Sequence, residues 1–70
     1  MFIVMEIQVF EGGNVSTPCY KFDDRNKADA KYYSLLSAAA VSKLPRHTVV
    51  MVTDSGYFLM SGTYEHKEEV

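Results

Sequence analysis

The first ten residues of the chain, MFIVMEIQVF, are mostly apolar, and the two polar residues, Glu6 and Gln8, fall on alternate positions. In an extended chain, Glu6 and Gln8 share one side with Phe2, Val4 and Phe10. The opposite side is entirely apolar and carries Ile3, Met5, Ile7 and Val9. This period of two, in a segment rich in Ile, Val and Phe, predicts a β-strand.

A hairpin is predicted to follow this strand. Gly12 and Gly13 supply the positive φ angles that a tight turn requires. The segment VSTPCYKF, residues 15–22, is then the return strand. Because Pro18 has no N–H to donate to a neighbouring strand, we expect this segment to be an edge strand or to contain a bulge.

One helix is predicted in the middle of the chain. The DDRN segment, residues 23–26, offers several capping residues, and Asn26 with Asp29 resembles a capping box. The helix should extend to about Ser42, since Pro45 prevents its continuation.

Two more strands follow, HTVVMVT and YFLMSGTY, joined by the turn DSG. Gly62 indicates a bulge or a close approach of another segment. The order β-β-α-β-β predicts an α+β domain over residues 1–64, with a four-stranded, mostly antiparallel sheet and one helix packed on one face. Residues 65–70, EHKEEV, are predicted to be a charged tail. The order of the strands in the sheet stays open.

The predicted helix is apolar on more than one side. At about 100° per residue, one sector should face the sheet: Ala28, Tyr32, Leu35, Leu36 and Ala39. A second apolar flank lies outside that sector: Ala30, Tyr33, Ala40 and Val41. This flank is either ordinary exposed surface or the interface with a second copy of the chain.

The size of the chain favours the second alternative. For 70 residues, burial contributes about 105 kcal/mol and ordering the chain costs about 105 kcal/mol. Cys19 is the only cysteine, so no disulfide within the chain can add stability. A metal site is not predicted, because Cys19, His47 and His66 include no closely spaced ligand pair. We therefore expect a homodimer or a higher homo-oligomer.

Charge and hydropathy exclude several classes of protein. The net charge is −2, and no basic stripe indicates a nucleic-acid groove. The apolar start of the chain contains Glu6 and Gln8 and lacks a basic leading segment, so neither a signal peptide nor a membrane span is predicted. We expect a soluble, cytoplasmic protein.

Catalysis is not predicted from the sequence. Cys19 fits a small apolar strand residue better than a nucleophile. No P-loop, GxGxxG or HExxH motif is present, and no cofactor is expected.

Binding is the more plausible activity. If the last two strands form a hairpin, their ends bring together Arg46, His47, Tyr64 and His66, which could hold a phosphate or a carboxylate. The alternative is an ordinary solvated strand end. Glu6 and Gln8 are further ligand-binding candidates, since polar groups in a central strand need partners; their alternative is a solvent-facing side of the strand.

Three segments, EIQ, KYYSLLSAAAVSKLPRH and YEH, resemble a group of very short proteins encoded by phages and prophages of Gram-positive bacteria. The resemblance implies a phage protein acting in the host cytoplasm, and it transfers no catalytic residues. Together with the expected dimer, the five tyrosines and the predicted Arg/His cluster, this origin favours a homo-oligomeric sponge that sequesters a nucleotide-derived immune signal. The alternative is a protein-interaction module that inhibits a host defence protein or serves in virion assembly. A regulator acting on DNA is disfavoured by the negative charge.

Overall fold

The computed structural model describes residues 1–66 and shows an α+β fold. The elements, in chain order, are β1 (Phe2–Val9), β2 (Val15–Ser16), β3 (Cys19–Phe22), α1 (Arg25–Ala40), β4 (Arg46–Thr53) and β5 (Phe58–Glu65). The predicted order β-β-α-β-β is confirmed. The return strand of the first hairpin is divided in two, so the antiparallel sheet has five strands rather than four.

The N-terminal strand lies inside the sheet. β1 pairs with β4 along its whole length, from Phe2 opposite Thr53 to Val9 opposite Arg46. β2 and β3 pair with the other edge of β1, and β5 pairs with β4. The two hairpins therefore meet through their first strands, an arrangement that the sequence left open.

Pro18 divides the return strand, as its missing N–H predicted. It lies between β2 and β3, at the edge of the sheet. The backbone N–H of Glu6 donates to the Pro18 carbonyl at 2.9 Å, so β1 stays bonded across the gap. The preceding turn places Gly12 and Gly13 at φ angles of 91° and 92°, which confirms their predicted role.

Local side chains fix the start of α1. Asp24 is the N-cap, and its carboxylate accepts a hydrogen bond from the Asn26 backbone N–H at 2.8 Å. The expected pairing of Asn26 with Asp29 is wrong, because Asp29 instead accepts from Arg25 Nε at 2.9 Å. The helix ends at Ala40, two residues before the predicted end. Within the described part of the chain, no helix is long and apolar enough to cross a membrane.

The core lies between α1 and one side of the sheet. Its fully buried apolar residues are Val4, Ala28, Tyr32, Ala39, Val49 and Met51. Partly buried residues pack around them: Phe2, Phe22, Leu35, Leu36, Leu59 and Met60. The predicted sheet-facing sector of the helix is thus confirmed.

Gly62 marks the closest approach of the helix to the sheet. A Cβ atom at this position would lie 2.6 Å from Leu36 Cδ1, so only glycine leaves room for Leu36 as it packs here. The close approach predicted from the sequence is confirmed. The irregularity of β5 lies elsewhere: Met60 is opposite Met51 and Phe58 is opposite Val52, which leaves Leu59 as the extra residue of a bulge.

The predicted charged tail begins too early in the chain. Glu65 is the last residue of β5, and its carboxylate lies 3.4 Å from Arg46 Nε. The His66 backbone N–H donates to the Pro45 carbonyl at 3.1 Å. These contacts hold residues 65 and 66 in the fold, whereas residues 67–70 of the predicted tail lie outside the described residues.

Candidate functional site

The helix covers the side of β1 that carries polar residues. Val4 and Glu6 point toward α1, and Glu6 is only 6% exposed. On β4, His47 points the same way and is 4% exposed. The solvent-facing alternative for Glu6 is therefore wrong, because a partner 41 positions along the chain allows the carboxylate to be buried.

A polar cluster, defined as Glu6, Gln8, Tyr20, Ser42 and His47, links the helix end to the sheet. His47 Nε2 donates to the carboxylate oxygen Glu6 Oε1 at 2.9 Å. On the other side of the ring, His47 Nδ1 and the Ser42 hydroxyl are hydrogen-bonded at 3.1 Å. Gln8 Nε2 donates to Glu6 Oε1 at 3.3 Å. The Tyr20 hydroxyl donates to Glu6 Oε2 at 3.3 Å.

The polar cluster is satisfied from within. Among residues 1–66, every buried side-chain nitrogen or oxygen has a hydrogen-bond partner. Burial, then the charge of Glu6 and the hydrogen bond to it, raises the pKa of Tyr20 above its ordinary value. Lys31 Nζ lies 4.2 Å from the centre of the Tyr20 ring. Because its hydrogen bonds are already made, the cluster acts as a structural connection more readily than as a vacant ligand site.

Ser42, His47 and Glu6 nevertheless follow the order of a nucleophile, a base and an orienting carboxylate. Sequence reasoning did not single out Ser42, since its contact with His47 depends on how the helix end meets β4. The Ser42 backbone N–H donates to Ala39 O at 3.3 Å, and the N–H of Val41 also donates back into the helix. These two N–H groups are thus not directed at a developing oxyanion, and the helix C-terminus itself disfavours negative charge. The arrangement does not favour hydrolysis.

The predicted ligand cluster is only partly assembled. β4 and β5 form the expected hairpin, with His47 opposite Tyr64. The Tyr64 and His66 rings stack with centroids 6.5 Å apart, and His66 Nε2 donates to the Ala39 carbonyl at 2.8 Å. Arg46 precedes His47 in the strand and therefore lies on the other side of the sheet, where it pairs with Glu65. The binding roles of these residues stay predictions.

The second flank of the helix lies away from the sheet. Ala30 and Tyr33 are exposed, Ala40 is partly exposed, and Val41, the C-cap residue, is 82% exposed. The Tyr33 ring meets Tyr32 edge-on, with centroids 5.1 Å apart. Tyr33 is the only large ring on this flank. Its role as an interface stays a prediction.

A larger apolar surface lies on the other side of the sheet. Residues directly opposite one another in an antiparallel sheet point to the same side, so the strand registers define this surface, here called the open face. Its apolar members are Ile3, Met5, Ile7, Val9, Val15, Cys19, Val50, Val52 and Phe58. α1 packs on the opposite side of the sheet, and the β1 and β4 residues of the open face are partly exposed.

Polar residues surround the apolar centre of the open face. Thr48 and Thr63 lie opposite each other, with their hydroxyl oxygens 3.0 Å apart. Lys21 lies beside Ile3 at one corner, and the Arg46–Glu65 ion pair lies at another. An apolar centre with a polar rim is the usual composition of a protein-binding surface.

Comparison with protein-family models, with curated proteins and with solved structures finds no match to this chain. Within the described residues, no three His, Cys, Asp or Glu side chains come together to hold a metal ion. The geometry of the molecule itself is therefore the basis for a functional proposal.

Proposed function

We propose that this chain is a non-enzymatic protein-interaction module that acts in the bacterial cytoplasm and binds its partner through the open face. The observation that carries the proposal is the continuous apolar centre on β1 and β4, from Ile3 and Val52 to Ile7. Small proteins seldom leave a contiguous apolar surface of this kind in water unless it binds something. The candidate partners are a second copy of this chain and, from the phage resemblance, a host defence protein or a virion component.

The chemistry of the open face favours a protein over a small anionic ligand. Its centre offers side chains of Met5, Ile7 and Val50, which have no donors for a phosphate or a carboxylate. The nearest cations are at the corners, and one of them, Arg46, is already paired with Glu65. A flat apolar protein surface would satisfy this face, whereas a nucleotide would lose hydration without replacement.

The proposal is tested by placing a photo-crosslinking amino acid at Val50, in the middle of the open face. The matched control carries the same amino acid at Lys27, which is exposed on the helix side of the molecule. In cells that produce these variants, we expect the crosslinker at position 50 to form an adduct with one defined protein. The crosslinker at position 27 should form no adduct of the same mass. Equal adducts at both positions, or none at Val50, would contradict the proposal.

The crosslinked protein, once identified by mass and purified, gives a quantitative test. Val50→Lys should weaken its binding at least about tenfold, because a charge would be buried against apolar side chains. Lys27→Ala should leave the binding unchanged.

A nucleotide sponge remains the second candidate because of one observation. The Tyr64 ring is 40% exposed and stacks with His66 at one end of the sheet, and exposed aromatic rings can stack on bases. A nucleotide released when the purified protein is denatured, and retained less by Tyr64→Ala, would support this function. Binding unaffected by Tyr64→Ala would exclude this stack as the site.

A further inference from the structure

We infer that a second copy of this chain covers the open face, so that two sheets pack face to face with the helices outside. The inference rests on the proposed function, since it names the partner of the same surface. A sheet with one side covered by a helix and one apolar side uncovered is half of a layered structure. A twofold axis supplies the missing layer without another protein.

The footprint of the open face is large enough for a specific dimer. The eight residues of β1 span about 26 Å, and four adjacent strands span about 19 Å, which gives a flat footprint of about 500 Å². Two copies together contribute about 1,000 Å², without the additional area of the protruding side chains. Specific interfaces begin at about this size.

The distribution of charge on the open face permits self-association. The apolar centre, around Met5 and Val50, contains no charged group, so a twofold axis through it brings no like charges together. Arg46 and Glu65 neutralise each other at the rim. Phe58, 57% exposed at the edge of the face, adds a large apolar side chain that a facing sheet would cover.

The small interior of a single copy also favours this arrangement. The buried core lies on one side of the sheet only, and part of that side is occupied by Glu6 and His47 rather than by apolar groups. Chains of this length usually need a supplement to their core. Packing Ile7, Val50 and their neighbours against a second copy would add an apolar layer of about 10 Å between the sheets.

The helix flank is a weaker site for the same association. Its only large ring, Tyr33, already contacts Tyr32. Val41 lies at the C-cap, beyond the regular helix. The open face offers a broad, continuous area across two long strands, whereas the flank offers alanines and two separated larger side chains.

Sedimentation velocity over a range of protein concentrations, together with thermal unfolding of the wild-type chain, tests the inference. We expect a dimer at high concentration and a Tm that rises with concentration, since association stabilises the folded state by mass action. Val50→Lys should raise the dimer dissociation constant about 1,000-fold, because the twofold axis places the charge in the interface twice. Val41→Lys, on the helix flank, is the matched control and should leave the dissociation constant unchanged.

Three outcomes would overturn the inference. One is a wild-type protein that stays monomeric at every concentration with a constant Tm. Another is a dimer that Val41→Lys dissociates and Val50→Lys leaves intact. The third outcome applies if Val50→Lys fails to fold and the milder Ile7→Thr is used in its place. It is an Ile7→Thr variant whose dimer dissociation constant equals that of the wild type.

The same experiments separate the inference from the proposed function. A monomer whose Val50 position crosslinks to a different protein would overturn the second copy as occupant and would support the interaction module. Loss of both the dimer and the crosslinks would overturn both.

Discussion

At the scale of single residues, Glu6 shows how a carboxylate can be buried in a small core. Removing an ionised carboxylate from water costs several kcal/mol unless donors replace the lost hydration. Glu6 receives hydrogen bonds from His47, Gln8 and Tyr20. The network joins β1, β3 and β4 and reaches the end of α1 through Ser42.

Glu6→Ala should therefore lower the free energy of unfolding by about 3 kcal/mol, because His47 and Tyr20 lose their shared acceptor inside the protein. Glu6→Gln keeps an acceptor for His47 and should cost only about 1 kcal/mol. Urea unfolding of the two variants measures the difference. Equal, small losses would show that the network contributes little to stability.

Sequence reasoning succeeded for residues whose roles are local and failed for those whose partners are distant. Asp24 caps the helix that begins at the next residue, and Gly12 and Gly13 form the turn that their φ angles allow. The partner of Glu6 is His47, and no pattern within β1 indicates it. Such a pairing depends on the strand order and register, which the chain determines only as a whole.

At the scale of elements, the contact between α1 and β5 depends on one missing side chain. Gly62→Ala would place Cβ 2.6 Å from Leu36 Cδ1, so Leu36 must leave its position. We expect a loss of about 1 to 2 kcal/mol in the free energy of unfolding, as for other overpacked cores.

A double-mutant cycle tests the origin of that loss. In a Leu36→Ala background the added methyl group has room, so Gly62→Ala should cost much less there. Ser61→Ala, on the open face beside Gly62, is the control and should change stability by less than about 0.5 kcal/mol. An identical cost of Gly62→Ala in both backgrounds would show that Leu36 is not the obstacle.

The elements themselves were predicted more accurately than the side of the sheet that each covers. The alternate polar positions of β1, the β-branched run in β4, and the proline and glycine positions between elements indicate the strands, turns and helix. The side of β1 that the helix covers was not evident, because the entirely apolar side is the one left open. Hydropathy alone assigns apolar residues to an interior, but it does not distinguish the interior of one chain from a surface that meets a partner.

At the scale of the whole molecule, alkaline pH should weaken the fold. Burial, with a smaller contribution from Tyr33, raises the pKa of Tyr32 above its ordinary value of 10.0. The folded state therefore holds the phenolic proton more tightly than the unfolded chain does. The stabilisation from Tyr32 is fully present below pH 10 and is lost as the pH rises through the folded pKa.

Urea unfolding from about pH 8 to about pH 11 measures this loss. The free energy of unfolding of Tyr32→Phe should depend less steeply on pH over that range than that of the wild type. Tyr20, whose pKa is also raised, should keep part of the dependence in that variant. If the free energy of unfolding falls equally steeply with pH in Tyr32→Phe and in the wild type, Tyr32 loses its proton as readily in the folded as in the unfolded chain.

The break at Pro18 makes the two edges of the sheet unequal. Along β2 and β3, the short strands and the missing N–H offer no regular ladder to an incoming strand. β5, at the opposite margin, is eight residues long and contains no proline. Only the β5 edge can therefore pair with a strand of another molecule. Once two molecules have paired through β5, neither has a second edge that can accept a strand. Growth into a fibril thus stops at a pair.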